Sequence, residues 1–582
     1  MRHVRSLPAA TLLLLVATLA RAAWLGPSGT PVAPTFHGQP VALFRDGGSG
    51  VFVAYQGLGV PGGQSIRLQH VLEDGTIAPG MPAQGTVACS LATITQLGEL
   101  RAIPDGANGA YLFWTEGVYR VSGMYYVQHV LADGKRAPGW PARGRLVSSF
   151  GSLTVPQAVA DGTGGLFVIW PGGGGAYSMR ILADGTNAPG FSAVGRQVLT
   201  QPEPFAQWSG LSIAHAQGGG YWLSGLLASA DSLATPWSYR LWRIDGNGIP
   251  DFTWAGDDGQ GVRIPAASSA LASGSTSVLD DGVDGALILM QLGAREMVAH
   301  VLGDQSLDDG WPEPLLDLGA NVGEGAGPQG LLAPDGTGGL YALWPQTWEG
   351  TDRSHLRRVH IDGTLDPAWA SEIEVSAGFL PTLLADASGV FATGARFLAC
   401  PHQDCLALNG LGRWSADGST PVGWPASGTL LTSPGEYALP DSAWAGVVSM
   451  VRDGAGGVFV AWTTPDVPPT GVPYGVAATV RVMRFQAAGP VAGVDGVREG
   501  PLSIRGTRFT RDGIRCSVAG GSSELAEATV FDVFGRRVTR AQIHLAAPDQ
   551  LIPGTRALAS GLYLVRVRTQ AAEAHAKVFA VH

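Results

Sequence analysis

One phrase recurs along this 582-residue chain, and its recurrence limits the possible folds more than any other feature. It is a turn, Asp-Gly-x-Gly-Gly, followed by an apolar run that ends in an aromatic residue. The clearest copies are DGTGGLFVIW (Asp161 to Trp170), DGTGGLYALW (Asp335 to Trp344) and DGAGGVFVAW (Asp453 to Trp462). Looser copies begin at Asp46, Asp105, Asp281 and Asp386, and a degenerate one lies near Ala216. Successive starts are 51 to 67 residues apart by subtraction, giving eight units.

A second phrase follows the first in each unit: an extended segment, then Asp-Gly, then often a Pro-Gly-aromatic group. QHVLADGKRAPGW (Gln128 to Trp140) and RILADGTNAPGF (Arg180 to Phe191) are examples. Each unit thus offers four short strands; in the third they fall near 157–159, 166–170, 177–182 and 197–200. Four strands in about 40 to 60 residues is the size of a propeller blade. The run Leu166 to Trp170 is apolar at every position, as expected of a strand buried on both faces. Composition agrees, because 84 Gly and 39 Pro suit many tight turns while 45% hydrophobic residues supply a core.

The ends distinguish a ring from an open array. The stretch Trp24 to Val32 aligns with Trp140 to Val147, which leads into a fourth strand, whereas the last unit stops after its third strand near Phe485. The repeat is therefore permuted, and pairing the two ends would remove open sheet edges. The expected fold is all-β: an eight-bladed β-propeller over 23–490, closed by its N-terminal strand, then a small immunoglobulin-like β-sandwich over 497–582.

Residues 1–22 read as a secretory signal: Arg2 and Arg5, an apolar run from Leu12 to Leu19, and Ala20-Arg21-Ala22 as a cleavage site. That run is too short for a membrane span. A net charge of −10 without a Lys/Arg block argues against nucleic acid as partner. The expected location is extracellular or the outer surface of a bacterium, and the expected state a monomer.

In the C-terminal segment, AEATVFDVFGRRV (Ala526 to Val538) and LASGLYLVRVR (Leu558 to Arg568) resemble the type A sorting domain of type IX secretion cargo and the related FlgD-like immunoglobulin-type modules. Phe531, Gly535, Arg536, Arg537, Gly561 and Tyr563 carry the resemblance. It implies a sandwich fold, a role in export or surface anchoring, and the secretion machinery as partner. An Asn-Pro pair usual at the start of that family is replaced here by Pro501-Leu502-Ser503-Ile504. Independently, the alternation in Leu562 to Val567 indicates a strand.

Four cysteines fit an exported protein. Cys400 and Cys405 bracket Pro-His-Gln-Asp and suit a loop disulfide or free thiols; zinc with His402 would lack a fourth ligand. Cys89 and Cys516 fall in different domains and are expected unpaired. No Gly-x-Ser-x-Gly elbow, HExxH helix or phosphate-binding loop occurs, so no catalytic, cofactor or metal residue is assigned.

One position is basic in every unit: His70, His129, Arg180, Arg243, His300, Arg358, Arg413 and Arg484. It stands four residues before the second-phrase Asp, or nearly so. A ring of cations around a channel would suit an acidic glycan. A position kept in every repeat is better explained as structural, each side chain bonding to a turn or a neighbouring blade. Two functions remain open: a binding or display protein recognising polysaccharide or protein, and a secreted carbohydrate-active enzyme, glycosidase or lyase, on the same scaffold.

Overall fold

The computed structural model describes residues 29–486 and 503–580, apart from connecting stretches, of which the longest are 265–275, 321–329, 398–406, 432–447 and 466–476. The chain divides into two compact units at residue 490. Both are built from antiparallel strands; the helical content among the described residues is two single turns, Phe252–Trp254 and Pro367–Trp369.

The first unit holds eight four-stranded sheets, here I to VIII in chain order. Sheet III is typical: Gln157–Ala160, Leu166–Gly172, Gly175–Ile181 and Arg196–Thr200, each strand paired with the next. Sheets I, II, IV, V, VI and VII span 41–90, 97–150, 207–264, 276–320, 331–375 and 382–430. Sheet VIII takes three strands from 449–485 and its fourth from the other end of the unit. Thr30–Phe36 pairs antiparallel with Ala477–Phe485, Thr30 opposite Val482 and Phe36 opposite Ala477.

Gly29 shows why the N-terminal strand fits there. In sheets II and III the fourth strand is entered through Gly144 and Gly195, both at positive φ and packed on the Trp that ends the apolar run of the second strand, Trp114 and Trp170. Gly29, with φ of 68°, packs in the same way on Trp462. A Cβ there would lie 2.8 Å from the indole, so backbone conformation and contact both demand glycine.

Sheets pack face to face through their apolar second strands, so the run Leu166 to Trp170 is buried at every position. The first strand of each sheet packs on the first strand of the next, and the cycle returns from Ser449–Arg452 of sheet VIII to Val41–Arg45 of sheet I. At that return Ser449 Oγ accepts the Leu43 N–H at 3.1 Å. Val32 and Ala33 share one core with Val41, Val53, Phe459 and Val480, so the N-terminal strand contributes to the joint between sheets VIII and I.

The second unit has a three-stranded and a four-stranded sheet. Ile514 and Cys516 of one and Ala528, Val530, Val565 and Val578 of the other share a single core.

Candidate functional site

The eight basic residues all lie on third strands, and each stands directly opposite the second residue of an apolar run. The pairs are His70 with Phe52, His129 with Tyr111, Arg180 with Phe167, Arg243 with Trp222, His300 with Leu287, Arg358 with Tyr341, Arg413 with Phe391 and Arg484 with Phe459. Seven partners are aromatic, and the basic side chain stacks on the ring. His70 and His129 lie 4.4 Å from their rings, and Arg180 and Arg413 lie 5.2 and 4.6 Å from theirs. Cation–π attraction strengthens where water is excluded. This aromatic position is visible in the sequence as the second letter of seven of the eight runs, apart from the terminal aromatic.

In six sheets the polar end of the basic side chain meets the turn Asp of its own sheet. His70, His129 and His300 place Nε2 at 2.9, 2.9 and 3.1 Å from Asp46, Asp105 and Asp281. Arg180, Arg358 and Arg484 meet Asp161, Asp335 and Asp453 at 2.8, 2.7 and 2.8 Å. The carboxylate does double duty. Oδ1 of Asp161 accepts the N–H groups of Thr163 (2.8 Å) and Gly165 (2.7 Å), closing the turn, and Oδ2 accepts from Arg180. Asp335 and Asp453 repeat the pattern. Burial opposes ionisation of Asp161, but the bonds from Thr163, Arg180 and Gly165 outweigh it and hold the carboxyl below its ordinary range.

The rest of the side chain reaches the neighbouring sheet. His129 Nδ1 lies 3.1 Å from the Ala183 carbonyl, Arg180 Nη1 donates to Gly246 O at 3.1 Å, and Arg358 Nη1 to Ala416 O at 3.1 Å. Second-phrase tryptophans support the same carbonyls: Trp140 Nε1 donates to Ala183 O at 2.9 Å and Trp369 Nε1 to Ala416 O at 3.0 Å. In these sheets one group closes a turn, stacks on a ring and tethers the next sheet, which leaves it little capacity for a ligand.

Two sheets break the pattern. In sheet IV Ala216 replaces the turn Asp, and Arg243 donates to Gln217 O at 3.1 Å, with Asp284 of sheet V at 3.7 Å. In sheet VII the turn is shorter, with Asp386 opposite Gly389, and Asp386 faces Arg452 of sheet VIII at 2.9 Å instead of Arg413. Arg413 falls back on the carbonyls of Ser388 (3.0 Å), Val390 (3.3 Å) and Trp414.

In the second unit, Phe531 ends a strand with Arg537 and Leu564 on either side, and the Arg566 guanidinium lies 4.9 Å from its ring. Tyr563 donates to Ala559 O at 3.0 Å, and Gly561 opens the strand Gly561–Arg568. Gly535, Arg536, Cys400 and Cys405 lie outside the described residues. Cys89 and Cys516 are buried, and burial pushes the Cys89 thiol up. Among the described residues no group of three or more His, Cys, Asp or Glu is placed to hold a metal, and no helix is long and apolar enough to cross a membrane.

No family model matches the chain, and no curated protein matches it by sequence. Similar solved structures include prolyl oligopeptidase B from Galerina marginata, at 9% identity and a TM-score of 0.36, covering 78% of this chain. This chain spans 58% of that enzyme's length. A putative 6-phosphogluconolactonase from Bacteroides fragilis is 12% identical with a TM-score of 0.35, covering 70% of this chain and 96% of its own. PorZ of Porphyromonas gingivalis, described as a surface component of the type-IX secretion system, is 13% identical with a TM-score of 0.28, covering 94% and 70%.

Proposed function

We propose that the chain is a secreted or cell-surface binding or display protein: an eight-bladed propeller over 23–490, closed by its N-terminal strand, that presents one end to a polysaccharide or protein ligand. On the same reading residues 1–22 are a signal peptide, and 497–582 form an immunoglobulin-like module that sorts or anchors the protein through the secretion machinery.

The asymmetry between the two ends of the sheets carries the proposal. First-to-second turns and third-to-fourth connections leave at one end and are near copies of one another, such as 131–144 and 182–195. Second-to-third hairpins and links between sheets leave at the other end and vary widely. In sheet III the hairpin needs only 173–174, in sheet VII it takes 398–406, and the link into sheet VIII takes 431–448. Scaffolds keep their architecture in regular elements and place recognition in variable loops.

The test is to replace 398–406 and 466–476 by the two-residue Gly hairpin of sheet III. Both proteins would then be probed on glycan arrays and against surface extracts. Binding should vanish while the unfolding transition is kept. Undiminished binding would refute the assignment, and turnover of a bound glycan would favour the enzyme reading.

A further inference from the structure

The pattern break in sheet VII has a chemical consequence at the joint of sheets VII, VIII and I. Three guanidinium groups gather there. Arg45 crosses from sheet I and donates to the Arg452 carbonyl at 3.1 Å. Arg452 and Arg413 both stack on Phe391, at 5.3 and 4.6 Å. Asp386 faces Arg452 alone. Of the neighbouring carboxylates, Asp453 and Glu73 are held by Arg484, and Asp46 by His70. Among the described residues Asp386 is thus the one carboxylate in ion-pair contact with any of the three.

Hydrogen-bond acceptors are short at this joint. Arg45 Nε, Arg413 Nε and Arg452 Nη2 are buried without a hydrogen-bond partner, and Arg452 Nη1 meets Asp386 without hydrogen-bond geometry. A buried donor left unmet loses its hydration without replacement, at greater cost when charged, so orphans concentrated at one joint call for a missing acceptor. Burial and the adjacent Arg452 also push the Arg413 guanidinium down to about 10. The rim of the joint is open at Asp386, whose side chain is 42% exposed, while both Nη atoms of Arg452 are buried.

We propose that this joint binds a small oxyanion, with Arg452 and Arg45 as its ligands and Arg413 as the buried charge behind them. Phosphate and carboxylate share the required chemistry, a compact anion with several acceptor oxygens for guanidinium donors. The Arg452 side chain must turn from Asp386 to receive it, so Asp386 acts as an internal competitor.

Inorganic phosphate and glucuronate would each be titrated into the full chain at constant ionic strength and followed by calorimetry. Saturable one-site binding of at least one is expected, and the tighter one identifies the source class. Arg452→Gln should weaken it about tenfold or more, a loss of about 1.4 kcal/mol. Asp386→Asn should strengthen it several-fold, which a merely structural cluster would not do. Arg295→Gln, in an exposed pair with Asp317 in sheet V, should leave it unchanged. Absence of saturable binding of both anions, or unchanged affinity in both Arg452→Gln and Asp386→Asn, would overturn the proposal. If Arg452→Gln fails to fold, Asp386→Asn decides alone.

Discussion

Arg484 in the last sheet donates to Glu73 in the first at 2.6 Å, across 411 residues of chain, while its Nε holds Asp453 at 2.8 Å. The same side chain that closes a turn in sheet VIII thus ties that sheet to sheet I. Removing it tests the joint. Arg484→Ala should destabilise the first unit while Glu73→Ala costs less, because Asp453 is buried and Glu73 is half exposed. Urea unfolding of both variants would check the order.

Arg180→Ala strips a partner from Asp161, whose side chain is fully buried. Asp161 keeps its bonds from Thr163 and Gly165, so the loss of this charge-assisted bond should cost about 1–3 kcal/mol in chemical denaturation. Arg295→Ala, from an exposed pair, should cost less than about 1 kcal/mol. Equal losses would mean that the turn pairs are no more than surface ion pairs.

His300 sits between two carboxylates, Asp281 at 3.1 Å and Asp308 at 2.8 Å. Burial disfavours its charge, but the bonds to Asp281 and Asp308 prevail and raise its pKa above 6.5. Its stabilising contribution is therefore complete below pH 6.5, the unfolded value, and is lost as pH climbs through the raised folded value. The stability gap between the parent and His300→Gln should shrink from mildly acidic to alkaline buffer. A gap independent of pH would show that His300 acts only by packing.

Deleting residues 24–36 should expose the edge of Ala477–Phe485 and remove Val32 and Ala33 from their core. A lower thermal midpoint and a tendency to associate are expected. Gly29→Val should act in the same direction, since it places a β-branched residue at positive φ against Trp462.

In a Cys400→Ser/Cys405→Ser background, Cys89 and Cys516 should resist thiol reagents in the native protein and react only on unfolding. Both are about 1% exposed, and burial keeps the Cys89 thiol protonated. Rapid native labelling of either would contradict the packing.

The sequence by itself determined the number of units, the four strands within each and the phase shift that leaves sheet VIII without a strand. These are local quantities: an Asp-Gly turn and an apolar run specify a hairpin through backbone conformation and side-chain period, wherever they lie in the chain. It also marked the eight basic residues, because repetition makes a single position stand out. Only the tertiary structure decided what they touch. That Arg180 meets Asp161 depends on strand register, and that it reaches Gly246 depends on the stacking of sheets III and IV. The divergence of Arg413 turns on the shorter turn of sheet VII, which leaves Asp386 facing Arg452 of another sheet. Contacts of that kind are set by the packing of whole sheets against one another, a sum over many weak interactions that no short stretch of sequence contains.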